Sequence, residues 1–226
     1  MFLRTFFVVI LLGLLGIFPD HSIAQKTEAF NLARIKYRGG GDWYNDPSSL
    51  KNLAEYSQRH IPIAINPNYD DIPIGSPDIF DYPFAFLTGH GAITINQTEV
   101  ANIRAYLENG GFLYIDDDYG LDEHFRKTIK KIFPDEELVE IPFDHPIYHQ
   151  VFDFPNGLPK IHKHDGKPPK GFGLFRDGQL VLFYTYETNL ADGWANPDVH
   201  KDPEAVRQKA LQMGTNILVY ALTYGR

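Results

Sequence analysis

The chain has 226 residues, 43% of them hydrophobic and 14% aromatic, which is enough for one substantial core once a leader is set aside. Its 29 acidic and 21 basic side chains leave a formal charge of -8, a field that repels nucleic acid and anionic lipid surfaces. With no cysteine, disulfides, thiolate metal sites and cysteine nucleophiles are all excluded.

Met1, Phe2, Leu3 and Arg4 precede an apolar run over 6–18, and Pro19, Asp20, Ser22 and Ala24 follow it. The charged start, a run short of the roughly 20 apolar residues of a membrane span, and small residues at both positions of an A-x-A-like site predict a signal peptide over 1–24. An uncleaved leader is the alternative, and it would be the chain's one contact with a membrane. Residues 25–226 read as a single exported domain, periplasmic or extracellular.

Loose alternation over 30–37 predicts a first strand, which runs into Arg38, Gly39, Gly40, Gly41, Asp42, Trp43 and Tyr44. Pro47, Ser48 and Ser49 open a helix with Leu50, Leu53, Ala54 and Ser57 on one face, stopping near His60. Residues 61–65 read as a short buried strand before a turn at Asn66, Pro67 and Asn68. The nearly continuous apolar run 82–87 marks a central strand that delivers the chain to Thr88, Gly89, His90 and Gly91. A helix over 94–110, striped by Val100, Ile103 and Leu107, ends at Gly110 and Gly111 and leads into a strand at 112–115.

That strand stops at Asp116, Asp117 and Asp118. A further helix is predicted over 122–133 and a short strand over 138–141. Residues 173–176 and 179–186 spell a hairpin whose Asp177-Gly178 turn favours the type I′ form. A last helix covers 203–220. Strand, helix, strand repetition predicts an α/β fold with a mostly parallel, doubly wound sheet and right-handed crossovers, extended by the hairpin and the last helix.

In open sheets of this kind ligands bind outside the carboxyl ends of the strands. Four such ends are polar here: Arg38 with Gly40 and Asp42, Thr88 to Gly91, Asp116 to Asp118, and Asp144 with His145. Tyr186, Glu187, Asp192, Gly193 and Trp194 form a fifth candidate wall. The glycines after Arg38 and beside His90 permit a positive φ or a close backbone approach. Three adjacent aspartates repel one another unless bonded or neutralised, and a divalent cation would relieve them. In the plainer arrangement Asp116 and Asp118 accept loop N–H groups while Asp117 faces water. His145, His149, His162 and His164 allow a nitrogen and oxygen metal site on paper, although His162 and His164 read as solvated loop side chains. There is no GxSxG, HExxH, P-loop or dinucleotide fingerprint.

Leu87-Thr88-Gly89-His90-Gly91, Gly110-Gly111-Phe112, Asp116-Asp117-Asp118, Ile132-Phe133-Pro134, Asp144-His145-Pro146-Ile147-Tyr148 and Asp192-Gly193-Trp194, taken in order, resemble the DUF4159 family. The resemblance extends from about residue 30 to 222. It implies a flavodoxin-like sheet similar to that of class I glutamine amidotransferases, in proteins whose biochemical role is not established. The catalytic cysteine of those amidotransferases has no counterpart here, so glutamine hydrolysis is not carried over.

Three functions are compatible with this reading. The first is a cell-envelope domain binding a small molecule in a polar cleft at the strand ends, with Arg38, His90, Asp116, Asp117, His145 and Trp194 among its lining. The second is a hydrolase activating water through a metal or through His90 and an aspartate, which requires His90, Asp116 and His145 to converge. The third is a scaffold for an envelope protein partner.

Overall fold

Alternation along the central strands sorts their side chains into two faces of different chemistry. In the structure, a computed structural model describing residues 29–224, these strands are β1 (Leu32–Lys36), β3 (Phe84–Leu87), β4 (Phe112–Asp116) and β7 (Gln179–Tyr186). Phe84, Phe86, Phe112, Tyr114 and Phe183 point to one side, where neighbouring rings of adjacent strands stack with centroids 5.6–6.3 Å apart. Ala85, Leu87, Leu113, Ile115 and Leu182 point to the other. Each buried aromatic or branched side chain contributes about 1.5–3 kcal/mol of burial free energy.

The aromatic face is covered by α1 (Ser49–Gln58), the short α4 (Leu190–Trp194) and the long α6 (Glu204–Tyr224), through Leu50, Leu53, Trp194, Met213, Ile217 and Leu218. The aliphatic face is covered by α2 (Gln97–Glu108) and α3 (Asp122–Ile132), through Val100, Ile103, Leu107, Phe125 and Ile129. Asn96 starts α2 with a capping box: its side chain accepts the Glu99 N–H while Glu99 accepts the Asn96 N–H. A four-residue α5 (Pro197–His200) links α4 to α6.

With β2 (Asp70–Pro73), β5 (Val139–Glu140) and β6 (Lys170–Arg176), the described residues form one seven-stranded sheet, ordered β2-β1-β3-β4-β7-β6-β5. The five strands from β2 to β7 pair in parallel, and β6 returns antiparallel to β7. The expected α/β class, mostly parallel with an antiparallel hairpin, is what the chain adopts. Asp177 and Gly178 both have positive φ, as a type I′ turn requires.

Two strand expectations are corrected. Residues 61–65 are not a strand; Ile65 makes only an isolated bridge to Phe30, and the edge strand forms later, at β2. Pro62 lacks an N–H to give a ladder, whereas β2 needs to bury only Ile72 and so carries little apolar signal. The strand expected over 138–141 shrinks to Val139–Glu140. The signal peptide expected over 1–24 lies outside the described residues. Within them no helix is long and apolar enough to cross a membrane.

Candidate functional site

Parallel strands end together, so the loops after β1, β3, β4 and β7 meet on one rim of the sheet. Gly89, at φ +141°, lets the loop after β3 turn sharply over Tyr37; a Cβ there would collide with the Tyr37 hydroxyl, which donates to the Thr88 carbonyl at 2.8 Å. His90 is thereby brought against Asp42 from the loop after β1. Its backbone N–H donates to Asp42 Oδ1 at 2.8 Å and its Nδ1 to Oδ2 at 2.9 Å, leaving Nε2 3.4 Å from Asp118 Oδ2. Burial opposes ionisation of Asp42, but the bonds from His90 outweigh it and lower the pKa.

The three aspartates after β4 are all buried, each held differently. Asp116 accepts the Thr185 hydroxyl at 2.5 Å and the Ala191 N–H at 2.7 Å. Asp117 accepts the Leu121 N–H at 2.9 Å at the start of α3. Asp118 accepts the side-chain amides of Asn45 and, at 2.7 Å, Asn189. Burial pushes Asp116 up to about 7 and Asp117 up to about 6. Asp118 is raised further still by burial and by the charges of Asp192 and Asp116. Asp117 therefore does not face water, a correction: the tight turn into α3 needs its carboxylate for an otherwise unpaired N–H.

A second set of side chains closes the rim. Asn189, in the left-handed region at φ +55°, turns the chain after β7 so that Asp192 faces Asp118 and Asp46. Asn189 Nδ2 bridges Asp118 and Asp192, at 2.7 and 2.8 Å. His162 Nδ1 lies 2.8 Å from Asp192 Oδ2, and its Nε2 3.1 Å from Asp202. His200 Nε2 lies 2.9 Å from Asp46. Burial again opposes ionisation of Asp192, yet the bonds from His162 and Asn189 and the nearby imidazoles lower its pKa. Burial holds Asp46 above the usual carboxylate range. The bond to Asp192 raises the pKa of His162.

Among the described residues no lysine or arginine comes within 4.0 Å of the carboxylates of Asp42, Asp46, Asp116, Asp118, Asp192 or Asp202. Lys160 is paired instead at 2.5 Å with the buried Glu187. Four oxygens here are buried without a hydrogen-bond partner: Asn45 Oδ1, Asn189 Oδ1, Asp192 Oδ1 and Asp202 Oδ2. Buried polar atoms are nearly always paired, so four orphans of one kind, all acceptors, make this rim a place that wants a cation or a donor.

Of the residues expected from sequence, Asp42, Thr88, Gly89, His90, Gly91, Asp116, Asp117 and Asp118 come together on this rim. Arg38 and Gly40 stay at its exposed edge, where Arg38 pairs with Glu99 at 2.8 Å. Asp144 and His145 do not join. His145 packs on Phe175 and Tyr220, and Tyr220 packs on Phe112, the first residue of β4, so this histidine lies at the amino end of the sheet. The convergence of His90, Asp116 and His145 that the hydrolase reading required is therefore absent.

Trp194 is the second misplacement. It is fully buried, packs on Phe86 and Tyr114, and donates Nε1–H to the Ala210 carbonyl at 2.8 Å. Two residues apart on a helix point about 200° apart, so Asp192 faces the rim and Trp194 faces the core. Asn45, Asp46, Asn189, His200 and Asp202 escaped the sequence reading altogether, and His162 was set aside as a solvated loop residue. A sequence signal did exist for two of them: His200 and Asp202 follow Asp192 in a short polar stretch that reaches back over the strand ends.

Residues 31–222 match a family model described as Domain of unknown function (DUF4159). No curated protein matches the chain. The chain belongs to the DUF4159 family.

Proposed function

We propose that this DUF4159 domain is an exported, cell-envelope binding domain whose ligand, small and cationic or rich in hydrogen-bond donors, sits on the acidic rim at the carboxyl ends of β1, β3, β4 and β7. The observation that carries this reading is the set of four acceptor oxygens, orphaned among the described residues, amid carboxylates that no described lysine or arginine neutralises. A ligand that supplied positive charge or N–H and O–H donors would satisfy them, and its binding would stabilise the folded state by mass action. Export rests on the charged start, the apolar run and the small residues around Ala24.

Thermal-shift screening of the purified protein against divalent cations, polyamines, amino sugars and basic peptides tests it. At least one of these classes should raise the melting temperature, and Asp118→Asn should abolish the shift; a flat response across all of them would sink the reading. Amino-terminal sequencing of protein recovered from the periplasm or medium should begin at Gln25.

One observation favours a second reading, a hydrolase. His90 is half exposed and held by Asp42 in the manner of a general base, with Nε2 directed towards Asp118. Turnover of an ester, amide or glycoside panel that vanished in His90→Ala would promote it.

A further inference from the structure

His162 and His200 reach Asp192 from different loops, and each turns the same ring nitrogen towards it. Nδ1 of His162 lies 2.8 Å and Nδ1 of His200 3.7 Å from Asp192 Oδ2. The opposite nitrogen of each ring is held by a second carboxylate, Asp202 for His162 at 3.1 Å and Asp46 for His200 at 2.9 Å. With Nε2–H donated to a carboxylate, an imidazole that gives up the Nδ1 proton now shared with Asp192 presents an Nδ1 lone pair already aimed at an ion. Proteins orient and strengthen metal-binding histidines in this way.

A separate observation concerns Asp192 itself. The residue is 4% exposed, and its second oxygen, Oδ1, has no partner. Asp202 Oδ2, on the far side of His162, is likewise unpaired. Separations of 2.8 and 3.7 Å suit neighbouring ligands around one ion with bonds of about 2.0–2.2 Å. His162 and His200 keep 29% and 27% of their side-chain surface exposed, so one side of such an ion would stay open to water or to a further ligand.

We propose that His162 Nδ1, His200 Nδ1 and the Asp192 carboxylate bind a divalent transition-metal ion, with Asp202 and Asp46 as the carboxylates that aim the two rings. Two imidazoles and one carboxylate favour Zn²⁺, or a neighbouring ion such as Mn²⁺, over Mg²⁺ and Ca²⁺, which prefer all-oxygen sites. The inference rests on the rim being the ligand seat and names the class of that ligand.

Calorimetric titration of chelator-treated protein with Zn²⁺, Mn²⁺, Mg²⁺ and Ca²⁺ is the test. One equivalent of Zn²⁺ or Mn²⁺ should bind, at least 100-fold more weakly in His162→Ala and His200→Ala and about 10-fold more weakly in Asp46→Asn, an outer partner. His149→Ala, whose ring pairs with Asp153 elsewhere, should bind as wild type. His200→Gln, which keeps the bulk of the side chain, serves as a second variant should His200→Ala fold poorly by circular dichroism.

Absence of transition-metal binding to wild type, or unchanged affinity in the folded histidine variants, overturns the metal site. If a polyamine or amino sugar then still binds and Asp118→Asn abolishes it, only the metal is wrong and the rim remains a ligand seat. If neither metal nor organic ligand binds, both readings fall.

Discussion

The two ends of the sheet use histidine in opposite ways. At the carboxyl end His90, His162 and His200 each turn ring nitrogens to carboxylates. At the amino end His145 lies between Phe175 and Tyr220, accepts the Ile147 N–H on Nδ1 at 3.2 Å, and is driven towards its neutral form by burial, against the pull of Asp144. The same side chain is a packing wedge at one end and part of a charged network at the other. The contrast teaches that the amino end and the aromatic layer stabilise the fold, whereas the carboxyl end carries buried acidic groups and unpaired oxygens that weaken it.

The sharpest way to break this comparison is to cut the layer beneath the rim. Trp194→Ala removes the rings' contact with Phe86 and Tyr114 and the bond to Ala210, and should cost about 3–5 kcal/mol in urea denaturation. A smaller loss would mean that the rim, not the core, holds α4 in place.

Next in size is the pH response. Asp116 is raised by burial to about 7, against about 3.9 in an unfolded chain, so the folded state holds that proton more tightly. Its contribution to stability is full below about pH 4 and is lost as the pH rises through about 7. Between pH 5 and pH 8 wild type should lose about 2–3 kcal/mol on this account, and Asp116→Asn should not lose it. The substitution fits, because the Thr185 hydroxyl can instead donate to the Ile115 carbonyl. Equal pH slopes in the two proteins would contradict the account of a strained carboxyl end.

At the amino end His145→Ala should cost about 1 kcal/mol, from lost ring packing and the lost bond to the Ile147 N–H. It should leave every ligand response of the rim untouched. The smallest effect belongs to Arg38→Ala. Its ion pair with Glu99 is 62% exposed on the arginine side, so less than about 0.5 kcal/mol should be lost and ligand binding should be unchanged. A strong binding defect in His145→Ala would erase the distinction between the two ends.

The fold was legible because its signals are local. Phe84 to Leu87 is a continuous apolar run, Gly110 and Gly111 punctuate α2 and β4, and Asp177-Gly178 specifies its own turn. Half of the site was legible for the same reason: Asp116 to Asp118 and His90 are conspicuous polar residues directly after buried strands. The other half was not, because lone residues such as Asp46 and His200 look like any loop until the fold brings them together, just as the short polar edge strand β2 escapes notice in the fold. His162 was misjudged from its Lys- and Gly-rich neighbours, which describe the sequence around it and not the carboxylates that face it. Trp194 was misjudged because adjacency to Asp192 in the chain is opposition on a helix.

The bond between His200 and Asp46 spans 154 residues of chain, and that between His162 and Asp202 another 40. Closing loops of that length is slow, since the entropy of a wide search must be met before any contact forms. The rim cannot be complete until residues 192–202 have been made and have reached Asp46, so an emerging chain presents its first strands before it presents this rim. A variant that slowed the docking of α6 would delay the appearance of ligand-competent protein more than it delayed the appearance of secondary structure.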